Sequence, residues 1–143
     1  MSKWLKLNKE NGLLYVSGLI MDCNKPSRSN VIYKPSVFEN AWEEYNDKLV
    51  TNGVAFGELN PKPNHYVDLT NISHKMLALW VDGNKFYGSA EVLDTPLGKV
   101  LREIIDKDID LDFSVRSISP ILDNMIVDGF KLVSIDITHF PEV

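Results

Sequence analysis

Short, largely apolar strand-like segments recur along this chain between polar loops, and two stretches at helical spacing interrupt them. Leu13 to Met21 reads as a strand: Leu14, Val16, Gly18 and Ile20 alternate with Tyr15, Ser17 and Leu19, and the largely apolar character of both sets implies cover on two faces. Asp22 to Asn30, with Pro26 and two asparagines, is a loop. A helix is expected after Pro35, with Val37, Phe38, Ala41, Trp42, Tyr45 and Leu49 on one face, Ser36 as N-cap, Glu39 at the capping-box position and Asn52-Gly53 as its end. Val54 to Leu59 is a short apolar strand, and the prolines of Asn60-Pro61-Lys62-Pro63-Asn64 force an extended loop. Met76 to Val81 and Lys85 to Leu93 flank Asp82-Gly83-Asn84, a strong hairpin signal. Thr95-Pro96 opens a second helix with Leu97, Val100, Leu101, Ile104 and Ile105 at helical spacing. Strands return after Asp108: Asp112 to Ser119, Ile121 to Val127, a turn at Asp128-Gly129, and Phe130 to Thr138.

This order predicts one α+β domain over residues 1–143, a mainly antiparallel β-barrel or strongly bent sheet flanked by two helices. A chain of 143 residues can bury a core without disulfides or metals. Its formal net charge of −5 argues against nucleic acid, whose binders cluster Lys and Arg. No apolar run approaches the roughly 20 residues that cross a bilayer, and Met1 to Lys6 lack the apolar stretch of a signal peptide, so an intracellular setting without membrane contact is expected. Cys23 is the only cysteine, which excludes an internal disulfide and thiolate-rich zinc sites. His65, His74 and His139 stand at no metal-ligand spacing, and neither metal nor cofactor is expected.

Three segments carry candidate chemistry: Gly57-Glu58-Leu59-Asn60 with His65 beyond it, Phe113-Ser114-Val115-Arg116, and Ile135-Asp136-Ile137 with His139 beyond it. A serine needs a base to take its proton, and the base works best when a third group fixes its tautomer. Ser114 as nucleophile, His65 as base and Asp136 or His139 as the orienting group would meet that need, and suggest a serine protease. The strand-like surroundings differ from the Gly-x-Ser-x-Gly elbow of α/β hydrolases. Each residue also has a plain structural reading: a small residue on a sheet for Ser114, a solvated loop residue for His65, the start of an apolar strand for His74 and a strand end for His139. Asp136, amid apolar strand residues, needs a partner if buried.

These segments resemble those of the prohead core proteases of T-even-type tailed phages. Arg28, Asn30, Tyr33 and Pro35 are similar to that family's Asn/Arg-rich, Tyr-Pro segment. Gly57 to Asn60 match the first four residues of its Gly-Glu-Leu-Asn-His-Pro motif, and Tyr87-Gly88-Ser89-Ala90 is similar to its Val-Tyr-Gly-Arg-Ala strand. Ser114-Val115-Arg116 fits its Ser-x-Arg segment, and Gly129 to Leu132 through Asp136 and Pro141 resembles its closing strand. The resemblance implies an assemblin-like barrel wrapped by helices, with Ser114 as nucleophile and Arg116 near the oxyanion site. One position departs from the pattern: Pro61 occupies the family's histidine slot, and His65 comes four residues later.

The resemblance further implies a serine endopeptidase of the host cytoplasm, acting inside the immature phage head on scaffold proteins, the major capsid protein and itself. Self-association is a further expectation. Such enzymes often cut after glutamate preceded two residues earlier by an apolar residue, and Phe140-Pro141-Glu142 fits that rule. The rival readings are a catalytically inactive protease-fold component that binds scaffold or capsid proteins, and an unrelated carbohydrate- or peptide-binding β-domain.

Overall fold

The computed structural model describes residues 5–24, 26, 32–118, 121–122, 125–126 and 130–139. Most of the Asp22 to Asn30 loop, with Arg28 and Asn30, lies outside the described residues, as do Ser119, Val127, the Asp128-Gly129 turn and Phe140 to Glu142.

Strands β1 (Leu5–Glu10) and β2 (Leu13–Asp22) form a hairpin that begins before the first strand expected from the sequence. Its turn, Asn11-Gly12, has φ of 52° and 80°, the double left-handed conformation that matches strand twist. Strand β3 (Ile32–Tyr33) leads into helix α1 (Pro35–Tyr45). Pro35 occupies the first helical position, which moves the N-cap back to Lys34, without a side-chain cap, so Ser36 does not cap as expected. The helix continues as a π-helical turn over Asn46–Val50, closed by the Thr51 N–H donating to the Asn46 carbonyl at 2.9 Å.

Next come β4 (Phe56–Glu58), β5 (Ile72–Asp82), β6 (Lys85–Val92) and α2 (Pro96–Asp106). Helix α2 begins as expected, the Thr95 hydroxyl accepting the Gly98 N–H at 3.0 Å. The chain ends in β7 (Asp112–Ile118), β8 (Ile121–Leu122), β9 (Met125–Ile126) and β10 (Lys131–Thr138). The single strand expected over Ile121 to Val127 is thus two short ones, paired with each other, with β9 also parallel to β3.

The strands form a five-stranded antiparallel sheet in the order β1-β2-β6-β5-β4, a β7–β10 ribbon and a small three-stranded set. A parallel bridge from Leu59 to Ile137 joins the large sheet to the ribbon, and β7 packs against β2 on its other side. Among the described residues the hydrogen bonds do not close into a cylinder, so the observed architecture is a mainly antiparallel, bent arrangement with two helices.

The apolar face of α1 fills the centre. The Phe38 ring centroid lies 4.7 Å from Phe86, 5.5 Å from Tyr33 and 5.7 Å from both Trp42 and Phe130. Phe38 is fully buried. No helix among the described residues is long and apolar enough to cross a membrane.

A second packing point joins β4, β5 and β10. His74 is fully buried in β5, its Nε2–H donating to the Ile135 carbonyl at 2.9 Å while Nδ1 accepts from the Ser73 hydroxyl at 2.7 Å. Gly57 passes so close that an added Cβ would stand 2.3 Å from both His74 Nε2 and the Ile135 oxygen. Only glycine lets β4 approach here. Burial drives the His74 pKa below the ordinary imidazole value, against the opposing pull of the Ile135 carbonyl and the Asp136 charge.

Two expectations follow from this packing. Phe38→Ala should cost about 3–5 kcal/mol in denaturant unfolding, as for other large buried aromatic truncations, and a loss below about 1 kcal/mol would contradict the packing described. Because folding holds His74 neutral while the unfolded chain takes up a proton near pH ~6.5, its contribution is full above that pH and declines as pH falls below it. His74→Gln keeps an amide N–H for Ile135 and does not titrate. Its stability should fall less steeply between about pH 7 and pH 5, by up to ~1.4 kcal/mol per pH unit, in urea unfolding; identical slopes would contradict a neutral buried imidazole.

Candidate active site

Directly opposed residues of an antiparallel pair share a face. In the β7–β10 ribbon, Phe113 opposes Ile137 and Val115 opposes Ile135, while Ser114 opposes Asp136 and Arg116 opposes Ser134. Phe113, Ile135 and Ile137 are buried in the core, so the apolar set faces inward and the polar set shares the other face.

On that face Arg116 lies between two carboxylates. Its Nε donates to Asp136 Oδ2 at 2.7 Å and to the Ser134 hydroxyl at 3.0 Å, and Nη2 donates to Asp136 Oδ1 at 3.1 Å and Glu58 Oε2 at 2.8 Å. Side-chain exposure is 11% for Arg116, 6% for Glu58 and none for Asp136. Burial alone would favour loss of the Arg116 charge. The hydrogen bonds and charges of Asp136 and then Glu58 together outweigh it and hold the guanidinium above its ordinary pKa.

The remaining nitrogen, Nη1, reaches the loop after β4, donating to the carbonyls of Tyr66 at 3.0 Å and of Asn64 and Lys62 at 3.5 Å. All the donors of the guanidinium are therefore engaged within the protein. Any further contact by this side chain would need one of these bonds to break.

Each residue of the Gly-Glu-Leu-Asn segment has a physical task in this arrangement. Gly57 allows the close approach to His74, and Glu58 supplies one carboxylate to Arg116. Leu59 is buried and bridges to Ile137. Asn60 turns the chain with φ of 47°, a left-handed conformation that asparagine tolerates. Its N–H donates to the Ile137 carbonyl and its Oδ1 accepts the His139 N–H, at 2.9 and 2.8 Å.

The candidate residues are placed as follows. Ser114 is half-buried on the polar face, and its hydroxyl makes no hydrogen bond among the described residues. His65 is exposed in the loop that Arg116 holds. No hydrogen bond joins it to Ser114. Asp136 makes none to an imidazole: its two oxygens accept from Arg116, the Ser134 hydroxyl and the Glu58 N–H, which fills a carboxylate's capacity of about four bonds. His139 is exposed, and its Nδ1–H donates to the Asp110 carbonyl at 3.0 Å. Cys23 is buried, and burial, then the Asp22 charge, push its thiol up to about 12, so it is no nucleophile at neutral pH. No group of three or more metal-binding side chains gathers among the described residues.

Glu58 and Ser134 were missed in the sequence as members of this cluster. A signal was present: Glu58, Arg116 and Asp136 each interrupt an apolar strand pattern, and charges buried in strands require partners.

Comparison with known proteins gives this geometry a family. The bacteriophage T4 capsid assembly protease has a structure that superposes with a TM-score of 0.89, covering 98% of this chain and 96% of that one at 24% identity, which establishes a common fold. The prohead core protein protease of Enterobacteria phage T4 is 31% identical over 81 residues, a stretch that makes up 57% of this chain and 38% of the relative. The family model for prohead core protein serine proteases matches residues 4–140, nearly the whole length, and the chain belongs to that family.

Proposed function

We propose that this protein is a serine endopeptidase of phage head maturation, with Ser114 as nucleophile and His65 as general base. The observation that carries the reading is the fastening of the His65 loop to Arg116, two residues from Ser114 on the same strand face. Two residues of strand span only about 7 Å, which supports a reading in which an imidazole on that loop reaches the serine once a substrate orders the site. Catalytic hydrogen bonds are commonly longer before that point.

His65 takes the Ser114 proton as the hydroxyl attacks a peptide carbonyl, and later returns it to the leaving amine. Backbone N–H groups around Arg116 stabilise the oxyanion. Of the two candidates for the third member, Asp136 acts through Arg116 rather than on the imidazole, in keeping with its saturated bonds, and His139 stands at the same end of β10. The substrates are scaffold and major capsid proteins inside the immature head, and the protease itself. The packing of β7 on β2 supports a barrel-like arrangement of the assemblin kind.

Two observations favour a second reading. Pro61 stands where the family motif has histidine, and no hydrogen bond joins His65 to Ser114, as expected of an inactive relative that binds the same head proteins. Co-expression with the scaffold protein of its phage separates the two. Ser114→Ala should abolish cleavage with an unchanged melting temperature, and His65→Ala should lower it by at least ~10³-fold, as loss of a nucleophile or base does. Unchanged proteolysis in Ser114→Ala would remove the mechanism, and no cleavage by the parent protein would favour the inactive relative.

A further inference from the structure

We propose that Glu58 is a positioning residue that, together with Asp136, aims Arg116 at the backbone of the 62–68 loop and so sets where His65 stands relative to Ser114. This rests on the reading of His65 as the base.

The loop has no fully buried apolar anchor, Pro61 and Val67 being only partly covered. From Asn60 to Asn71 no residue is buried, and Tyr66 and Leu69 are 63% and 67% exposed. Pro61 and Pro63 narrow its backbone choices. Its ties to the body between Lys62 and Asp68 are polar and run to one cluster. Arg116 Nη1 holds the carbonyls of Lys62, Asn64 and Tyr66, on both sides of His65, and Glu58 Oε2 accepts the Asp68 N–H at 3.1 Å. The same Glu58 oxygen accepts from Arg116 Nη2, so one atom bridges the guanidinium and the loop.

The guanidinium is a rigid planar fork, so fixing one edge fixes the direction of the other. Asp136 holds the Nε–Nη2 edge side-on, and Glu58 holds Nη2 from the loop side. Nη1 is thereby aimed at the loop carbonyls. Beyond Asp68 the segment is braced within itself, the Asp68 carboxylate accepting from the Thr70 N–H and hydroxyl and from the Asn71 amide.

The test uses Arg116→Lys, which keeps a cation between the carboxylates but cannot span carboxylates and carbonyls in one fork. Glu58→Gln is the second variant, retaining size and an acceptor while removing the charge that orients Nη2. Two quantities are read: hydrogen exchange of residues 62–69 against β2 and β6, and the rate at which a fluorophosphonate probe labels Ser114, with His65→Ala as reference. The expected result is faster exchange confined to 62–69 and labelling slowed roughly 10- to 100-fold, the scale of a misplaced catalytic group. A shift of the labelling pH profile should accompany it, which a merely structural role would not produce.

If Arg116→Lys does not fold, Glu58→Gln carries the test alone. Unchanged exchange at 62–69 in a folded variant overturns the clamp. Faster loop exchange with unchanged labelling overturns positioning. Full labelling in His65→Ala, by contrast, removes the base assignment and leaves the exchange result to judge the clamp.

Discussion

One guanidinium between two buried carboxylates holds the polar side of the β7–β10 ribbon to the sheet. Removing Glu58 and Asp136 from water is costly, and neither would be tolerated there alone. Arg116 offsets that cost with short, directed hydrogen bonds, aided by the Ser134 hydroxyl and the Glu58 N–H. The three groups come from β4, β7 and β10, so the cluster is also a joint: it ties the edge of the five-stranded sheet to the ribbon that bears Ser114. The Leu59–Ile137 bridge and the His74–Ile135 hydrogen bond reinforce the same seam. A polar seam of this kind is directional where an apolar contact is not, and it fixes the register in which β4 meets β10.

Elements with a strong period were legible in the sequence. Strand β2, the hairpin around Gly83 and both helices stand where the alternation and the Pro and Thr signals put them. What was lost depended on local competition. Pro35 outranked Ser36 at the start of α1, and β1 offers only Leu5 and Leu7 as pattern, although its Asn11-Gly12 turn was a legible hairpin signal. The 121–127 stretch reads as one strand by composition yet is two, because β9 pairs back on β8.

For the site, the sequence named Ser114, Arg116 and Asp136 one by one, and their common face follows only from the register of β7 against β10. Glu58 was not legible as their partner, since it lies 58 residues from Arg116 and meets it only through the register of β4 against β5 and β10. The need for a partner was visible in Asp136 itself. The polar side of the ribbon carries the cluster, and the proline-bearing loop beside it is tied to that cluster through Arg116 and Glu58. In this chain, residues 57–60 thus each have a physical basis: close approach, charge, bridge and turn.

The central claim, that Glu58, Arg116 and Asp136 act as one unit, is tested most directly by an unfolding cycle. Free energies would be measured in urea for Arg116→Met, for Glu58→Gln with Asp136→Asn, and for all three together. Arg116→Met alone should lose about 3–5 kcal/mol, because it strands two buried carboxylates. On the neutralised background the same change should lose less by at least ~1 kcal/mol, the signature of coupled groups. Losses that simply add would contradict the account.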